Sequence, residues 1–295
     1  MTAISVRALR KSYGATRAVR DVSFNVEEGE VFALLGPNGA GKTTIVEILE
    51  GYRHRDAGEV SVLGIDPAHG GRALRERVGV VLQECAVPPL LSVTELINLY
   101  RGYYPAPRRT DEIIELVGLS EKATARVKTL SGGQQRRLDV ALGLVGDPEL
   151  IFLDEPTTGF DPSARRNAWE LVRSLRTLGK TILLTTHYMD EAEHLADRIC
   201  VLRDGVIVAA GTAATLRAAT EGRTRIRFAT SSVELPQLDA RVVVDDGVVT
   251  IETATPTRTV HEITTWALDH NLELSGFEVT RPSLEDVYLE LTREQ

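Results

Sequence analysis

The chain has 295 residues, 34 basic and 42 acidic, for a formal net charge of −8, and is 43% hydrophobic. That length holds one large domain or two ordinary ones; the hydrophobic fraction excludes intrinsic disorder, and the acidic balance argues against a protein that coats nucleic acid. No stretch approaches 18 consecutive apolar residues, the start MTAISVRALRKSYG has no apolar secretory core, and Cys85 and Cys200 make no disulfide framework, so the expected compartment is cytosolic with both thiols buried.

The first region, to about residue 220, alternates strand and helix. Residues 31–35 (VFALL) are a short apolar run, as expected of a strand buried on both faces, and residues 78–82, 150–153 and 181–184 repeat the pattern. A helix follows residue 43. Another opens at Asp161 as N-cap with Pro162 in the first position, repeats apolar residues from Ala168 to Leu178 at helical spacing, and ends at Gly179. Such repetition predicts a parallel sheet sandwiched by helices. Residues 199–202 and 206–208 flank Arg203-Asp204-Gly205 as a hairpin. Residues 213–224 read as a short helix plus linker. Beyond them a small α+β unit is predicted: a Val-rich hairpin around Asp245-Asp246-Gly247, an amphipathic helix through Val260, Ile263, Trp266 and Ala267, and a capped helix at Ser283 and Asp286.

Three motifs carry chemistry. Gly36-Pro37-Asn38-Gly39-Ala40-Gly41-Lys42-Thr43-Thr44 follows the first apolar strand and opens a helix, as a phosphate-binding loop requires. Its backbone N–H groups and the helix N-terminus attract phosphate oxygens, Lys42 offers a compact charge to them, and the Thr43 hydroxyl can hold Mg²⁺. Basic residues are 29 Arg against 5 Lys, yet this position is Lys, which fits a nest that a planar guanidinium does not suit. Asp154 and Glu155 end the strand 150–153, where a parallel sheet binds ligands. Asp154 suits a Mg²⁺ shell and Glu155 suits polarising a water, although two adjacent acids alone are a weak signal. Ser131-Gly132-Gly133-Gln134 opens a further helix, which is either a plain capped start or a second anion site.

The order of the phosphate loop, Leu130-Ser131-Gly132-Gly133-Gln134 and the acid strand resembles the ATP-binding-cassette (ABC) ATPases over residues 1 to about 220. The resemblance implies an α/β P-loop NTPase fold of the ABC ATPase type, a parallel-sheet core with antiparallel β and helical subdomains, carrying a small C-terminal α+β domain. The division is expected at 1–222 and 223–295. It implies roles for further residues: Tyr13 stacking on adenine, Gln83 touching Mg²⁺ and sensing a membrane partner, His187 as the switch histidine on the γ-phosphate, and Asp161 as the inter-subunit loop aspartate. Phe160 stands where many cassettes carry Leu, which implies a packing adjustment at the dimer seam.

Thr186-His187-Tyr188-Met189-Asp190-Glu191-Ala192-Glu193 and the ending from Arg281 to Thr292 resemble the daunorubicin-resistance-like exporter ATPases. That branch implies a peripheral subunit on the cytoplasmic face of the membrane. It would bind ATP and Mg²⁺, pair with a second copy of itself so that Ser131, Gly132, Gly133 and Gln134 meet the other copy's nucleotide, and drive a separate transmembrane permease docked beside Gln83. No nucleic acid partner is expected. The alternative is a soluble cassette ATPase without a transport role, but repair and chromosome relatives need coiled coils for which residues 43–129 leave no room, and translation relatives carry two cassettes.

Overall fold

A computed structural model describes residues 1–81, 87–219, 224–229, 235–280, 284–286 and 288. By contact the chain forms two units, Met1–Thr212 and Ala213–Gln295.

The first unit opens with the strands β1 (Thr2–Tyr13) and β2 (Thr16–Glu27), then β3 (Val31–Leu35), every residue of which is buried. Helix α1 (Lys42–Leu49) starts from Gly41, and β4 (Ala57–Val62) returns to the first strands. After α2 (Pro67–Arg75) and β5 (Val78–Val81), three helices form a separate layer: α3 (Val93–Arg101), started by a Ser92–Glu95 capping box, α4 (Thr110–Leu116) and α5 (Gly132–Leu144). Then β6 (Leu150–Asp154), α6 (Pro162–Thr177), β7 (Thr181–Thr186), α7 (Met189–Leu195), β8 (Arg198–Arg203) and β9 (Val206–Gly211) complete the unit.

Two sheets result. The antiparallel one has the order β2-β1-β4; the larger runs β5-β6-β7-β3-β8-β9, parallel except for the β8–β9 hairpin. One buried core spans both, with Ile4, Val6 and Val19 from the first, Ile45 and Ile48 from α1, and Phe32, Phe152 and Leu183 from the second. The parallel core strands fall where the apolar runs predict them. The first of the runs matches β3 residue for residue; the end of the 78–82 run at Leu82 lies outside the described residues, as do Gln83, Cys85, Ser283 and most of the C-terminal ending.

The second unit holds α8 (Ala213–Ala219), β10 (Thr224–Ala229), β11 (Arg241–Asp245), β12 (Val248–Thr253), α9 (Pro256–Asp269) and β13 (Ser275–Thr280). Its antiparallel sheet has the order β11-β12-β10-β13, over a core of Ile226, Phe228, Val249, Ile251 and Ile263. Helix α8, which a division at 222/223 gives to the first domain, groups by contact with this unit.

Candidate functional site

Sheet order assembles the site. β3 lies between β7 and β8, and β7 lies against β6, so the carboxyl ends of β3, β7 and β6 are adjacent. The register pairs Leu35 with Thr186 and Asp154 with Thr185, and Gly36 N–H donates to Thr186 O at 3.1 Å. The phosphate loop, the acid pair and His187 therefore leave the sheet side by side, where an open α/β sheet binds its ligands.

Lys42 is buried, at 5% exposure. Its Nζ donates to Gly36 O at 2.7 Å and Pro37 O at 3.2 Å, and lies 3.4 Å from Glu155 Oε1. Burial pulls the ammonium below its ordinary value, against the opposing pull of Glu155 and Asp154. Burial would raise the Glu155 carboxyl, but Lys42, the Thr158 hydroxyl donating at 3.1 Å and His187 outweigh it and hold the group below the usual carboxylate range. His187 Nδ1 stands 3.3 Å from Glu155 Oε2 and is buried without a well-formed hydrogen bond. Glu155 occupies the left-handed region at φ +45°, a conformation that costs a non-glycine residue about 1–3 kcal/mol. Its N–H donates to both the carbonyl and the hydroxyl of Thr185, which fixes the bend. Thr185 also donates to Asp154 Oδ1.

These features fit a nucleotide with its metal. Gly39 and Gly41 at φ +83° and +104° give the curled backbone of an anion nest. Among the described residues the Lys42 ammonium meets its own loop and Glu155, and His187 Nδ1, beside Glu155, has no well-formed hydrogen bond. Among the described residues no group of three or more His, Cys, Asp or Glu could hold a metal ion. Thr43, exposed at the start of α1, and Asp154 could supply the sparse donor set of a Mg²⁺ shared with phosphates.

Tyr13 ends β1, 41% exposed, with the Arg53 guanidinium 5.1 Å and the Lys11 ammonium 5.6 Å from its ring centroid. Arg53 pairs with Glu47 on α1, which keeps this ring beside the helix that begins at Lys42. Gln83 has no described placement.

Ser131 caps α5 in a reciprocal box: its hydroxyl accepts from Gln134 N–H, and Gln134 Oε1 accepts from Ser131 N–H at 3.0 Å. Nothing lies within 4 Å of where a Cβ would stand at Gly132 or Gly133, so this end is open. It borders a cleft of about 650 Å³ between α5 and α6 that also takes in Phe160 and Asp161; no residue of the phosphate loop lines it. Asp161 is the N-cap of α6, accepting from Ser163 and Ala164. Within one copy, the structure groups Lys42, Asp154, Glu155 and His187, and separately groups Ser131–Gln134 with Asp161.

Two connections escaped the motifs. Arg136, 8% exposed, donates to Pro156 O and Asp154 O, which ties the helix begun at Ser131 to the acid strand. Glu191, fully buried on α7, accepts from Thr157 Oγ1 at 2.7 Å and Trp169 Nε1 at 3.3 Å. It joins the helix after His187 to the loop after Glu155. A Glu inside the apolar face Ala192 and Leu195 was the one available signal. Burial pushes its carboxyl up; hydroxyls of Thr186 and Thr157 and the Trp169 indole counter this, and Asp190 adds to it. The folded chain thus keeps a proton that the unfolded chain releases near 4.5, so wild-type stability falls as pH climbs above that value toward the raised one. Thermal unfolding between pH 5 and 8 should show Glu191→Gln without this slope and Glu191→Ala less stable by about 3 kcal/mol; equal slopes in wild type and Glu191→Gln would refute the assignment.

Known proteins resemble the chain in sequence and in fold. The ABC transporter family matches residues 19–158, and the C-terminal domain of ABC transporter domain-containing-like proteins matches residues 224–283. A daunorubicin resistance ATP-binding protein of Streptomyces coeruleorubidus is 36% identical over 303 residues, covering 99% of this chain and 96% of the relative. A Nod factor export ATP-binding protein of Rhizobium etli is 46% identical over 216 residues, 72% of this chain and 68% of the relative. An ATP-binding cassette solved as a dimer in a post-hydrolysis state with ADP and Pi superposes with a TM-score of 0.63 at 26% identity, over 71% of this chain and 98% of that one. The chain belongs to the ABC transporter ATP-binding proteins, and is an ATPase of the P-loop α/β fold. Within them it is an ATP-driven export subunit similar to the drug-resistance exporter branch.

Proposed function

We propose that this chain hydrolyses MgATP at the cytoplasmic face of a membrane to drive export of a drug-like or lipophilic compound through a separate permease, with residues 1–222 as motor and 223–295 as accessory domain. The observation that carries the reading is the contact of Glu155 with both Lys42 and His187 at the mouth of the phosphate loop. Lys42, Thr43, Thr44 and free amides within the loop Gly36–Gly41 hold the phosphates, and Tyr13 takes the adenine. Thr43 and Asp154 would hold Mg²⁺, with Gln83 the further contact that the family resemblance implies, and the ion would supply charge neutralisation to the phosphate oxygens. As Lys42 turns from Glu155 to the phosphates, the freed carboxylate accepts a hydrogen bond from the attacking water, and His187 steadies the γ-phosphate.

Each α5 end, open at Gly132 and Gly133, completes the nucleotide site of a second copy, with Ser131, Gln134 and Asp161 around it. The separation of that end from the phosphate loop within one copy supports a site shared between two copies. Closing on ATP and reopening after hydrolysis would move the permease. Among the described residues no helix is long and apolar enough to cross a membrane, which fits a motor that borrows its channel.

Co-expression with a six-span membrane protein, sought in the neighbouring reading frames, should bring the chain to the membrane fraction; a chain that never co-purifies there would favour a cassette ATPase without transport. Tyr13→Ala should raise KM for ATP about 3- to 10-fold with kcat held, the loss of one stacking contact of about 0.5–1.5 kcal/mol. An unchanged KM would place the adenine elsewhere.

A further inference from the structure

The sheet of the second unit leaves one side of β11 open. β11 pairs with β12, and among the described residues no strand lies on its other side. All five of its residues are exposed, with Val242, Val243 and Val244 at 37, 49 and 60%. Edge strands are normally blunted by proline, lysine, a bulge or brevity, because their free N–H and C=O groups recruit other strands. The opposite edge carries such devices: β13 has Gly276 at φ +64° and a register break against β10. β11 has neither; it runs in unbroken register as Arg-Val-Val-Val-Asp.

The turn after β11 fixes which groups face outward. Asp246 and Gly247, at φ +44° and +75°, make a two-residue hairpin of the type I′ kind. In such a hairpin the closing pair, Asp245 with Val248, exchanges both hydrogen bonds, and so do Val243 with Thr250 and Arg241 with Glu252. The N–H and C=O of Val242 and Val244 therefore point to the open side. On the core face, Val242 and Val244 lie opposite the buried Ile251 and Val249, so they carry an apolar row out into solvent.

We infer that β11 pairs antiparallel with β11 of a second copy, about a two-fold axis at Val243. In that register Val242 meets Val244 of the other copy twice, and the four outward groups of each strand form hydrogen bonds. The apolar row continues across the axis. On the outer face Arg241 meets Asp245 of the other copy, and the same contact recurs by symmetry, so the strand is its own charge complement. Asp245 is in no ion pair among the described residues, while Arg241 reaches Glu252 only at 4.0 Å. The register demanded by the hydrogen bonds is thus the one that pairs the charges, and this selects a second copy as the occupant. Five paired residues make a small interface, so the contact is weak alone and gains from any other link between two copies.

Disulfide trapping reads a weak contact, and the full chain without nucleotide keeps the test separate from the ATP-bound dimer. In a Cys85→Ser background, Val243→Cys places two thiols across the axis, in a non-hydrogen-bonded pair whose Cα spacing admits a disulfide. Cys200 stays out, because burial pushes its thiol up to about 12. With oxidised glutathione, linked dimers should form at least ~10-fold faster than from Glu278→Cys on the exposed opposite edge, treated as a diffusional reference. Val244→Lys should return the rate to that reference. Asp245→Arg should also slow it, and adding Arg241→Asp should restore it. Equal rates at residues 243 and 278, indifference to Val244→Lys, or no recovery in the double reversal would overturn the pairing. So would a Val243→Cys chain that traps only at the reference rate while Val244→Lys, in the chain without that cysteine, loses the permease, since the edge would then belong to another protein.

Discussion

Glu155→Gln should still bind ATP but turn it over about 10²- to 10⁴-fold more slowly, the usual worth of a general base, and should accumulate as an ATP-bound dimer. The amide keeps the shape of the side chain and can accept the Thr158 hydrogen bond, so the bend at Glu155 survives. What disappears is the negative charge that Lys42, Thr158 and His187 keep ionised. A neutral amide holds the water poorly and cannot take its proton. Nucleotide binding should be kept, because the amide no longer competes with phosphate for Lys42, which sits 3.4 Å away in the wild type. Single-turnover hydrolysis and gel filtration with ATP check both halves. Near-normal turnover would remove Glu155 from the reaction and leave Lys42 and the phosphate loop untouched.

Lys42→Ala should fail one step earlier. The side chain is buried and donates to Gly36 O and Pro37 O, so its removal strips a charge from the phosphate site and leaves two loop carbonyls without their donor. ATP affinity should fall by about 10²-fold or more, as loss of a charge-assisted contact of about 3 kcal/mol implies, and turnover should fall with it. Glu155 also loses its nearest cation, so its carboxyl should shift upward from its depressed value. Lys42→Arg should not rescue binding, since the planar, larger guanidinium does not enter a cradle shaped around an ammonium. Isothermal titration with ATP measures both; an unchanged affinity in Lys42→Ala would overturn the phosphate-loop assignment.

How much of this was legible depends on how local each signal is. β3 is buried on both faces and reads as an unbroken apolar run, and α6 declares its start in Asp161-Pro162, where the carboxylate accepts from Ser163 and Ala164. The antiparallel sheet was legible only through family resemblance. β1 buries Ile4 and Val6 two apart but then Leu9, because Ala8 at φ +50° inserts a bulge that breaks the period of two. β2 is disturbed likewise at Asp21, φ +68°. In the site, the residues in contiguous motifs were readable, since backbone geometry forces their spacing. The Glu191 carboxylate with Thr157 and Trp169, and the Arg136 guanidinium on the carbonyls of Asp154 and Pro156, join residues 18 to 34 positions apart. Nothing local in a sequence marks such partners until the sheet order brings them together.

The main chain hems in the phosphate loop from behind. A Cβ at Gly36 would stand 2.3 Å from Leu202 O, and one at Gly41 would stand 2.4 Å from Ala18 O. Neither wall can yield by turning a rotamer, so the size of this cradle cannot be re-cut by substitution at those positions. The far end is different: Tyr13 is partly exposed and its neighbours are long, movable side chains. With Tyr13 on the adenine, as proposed, a chemist seeking a private fuel for this motor should leave the triphosphate alone and enlarge the base, trimming Tyr13 to match, so that one exporter among many in a cell could be run or stalled by its own nucleotide analogue.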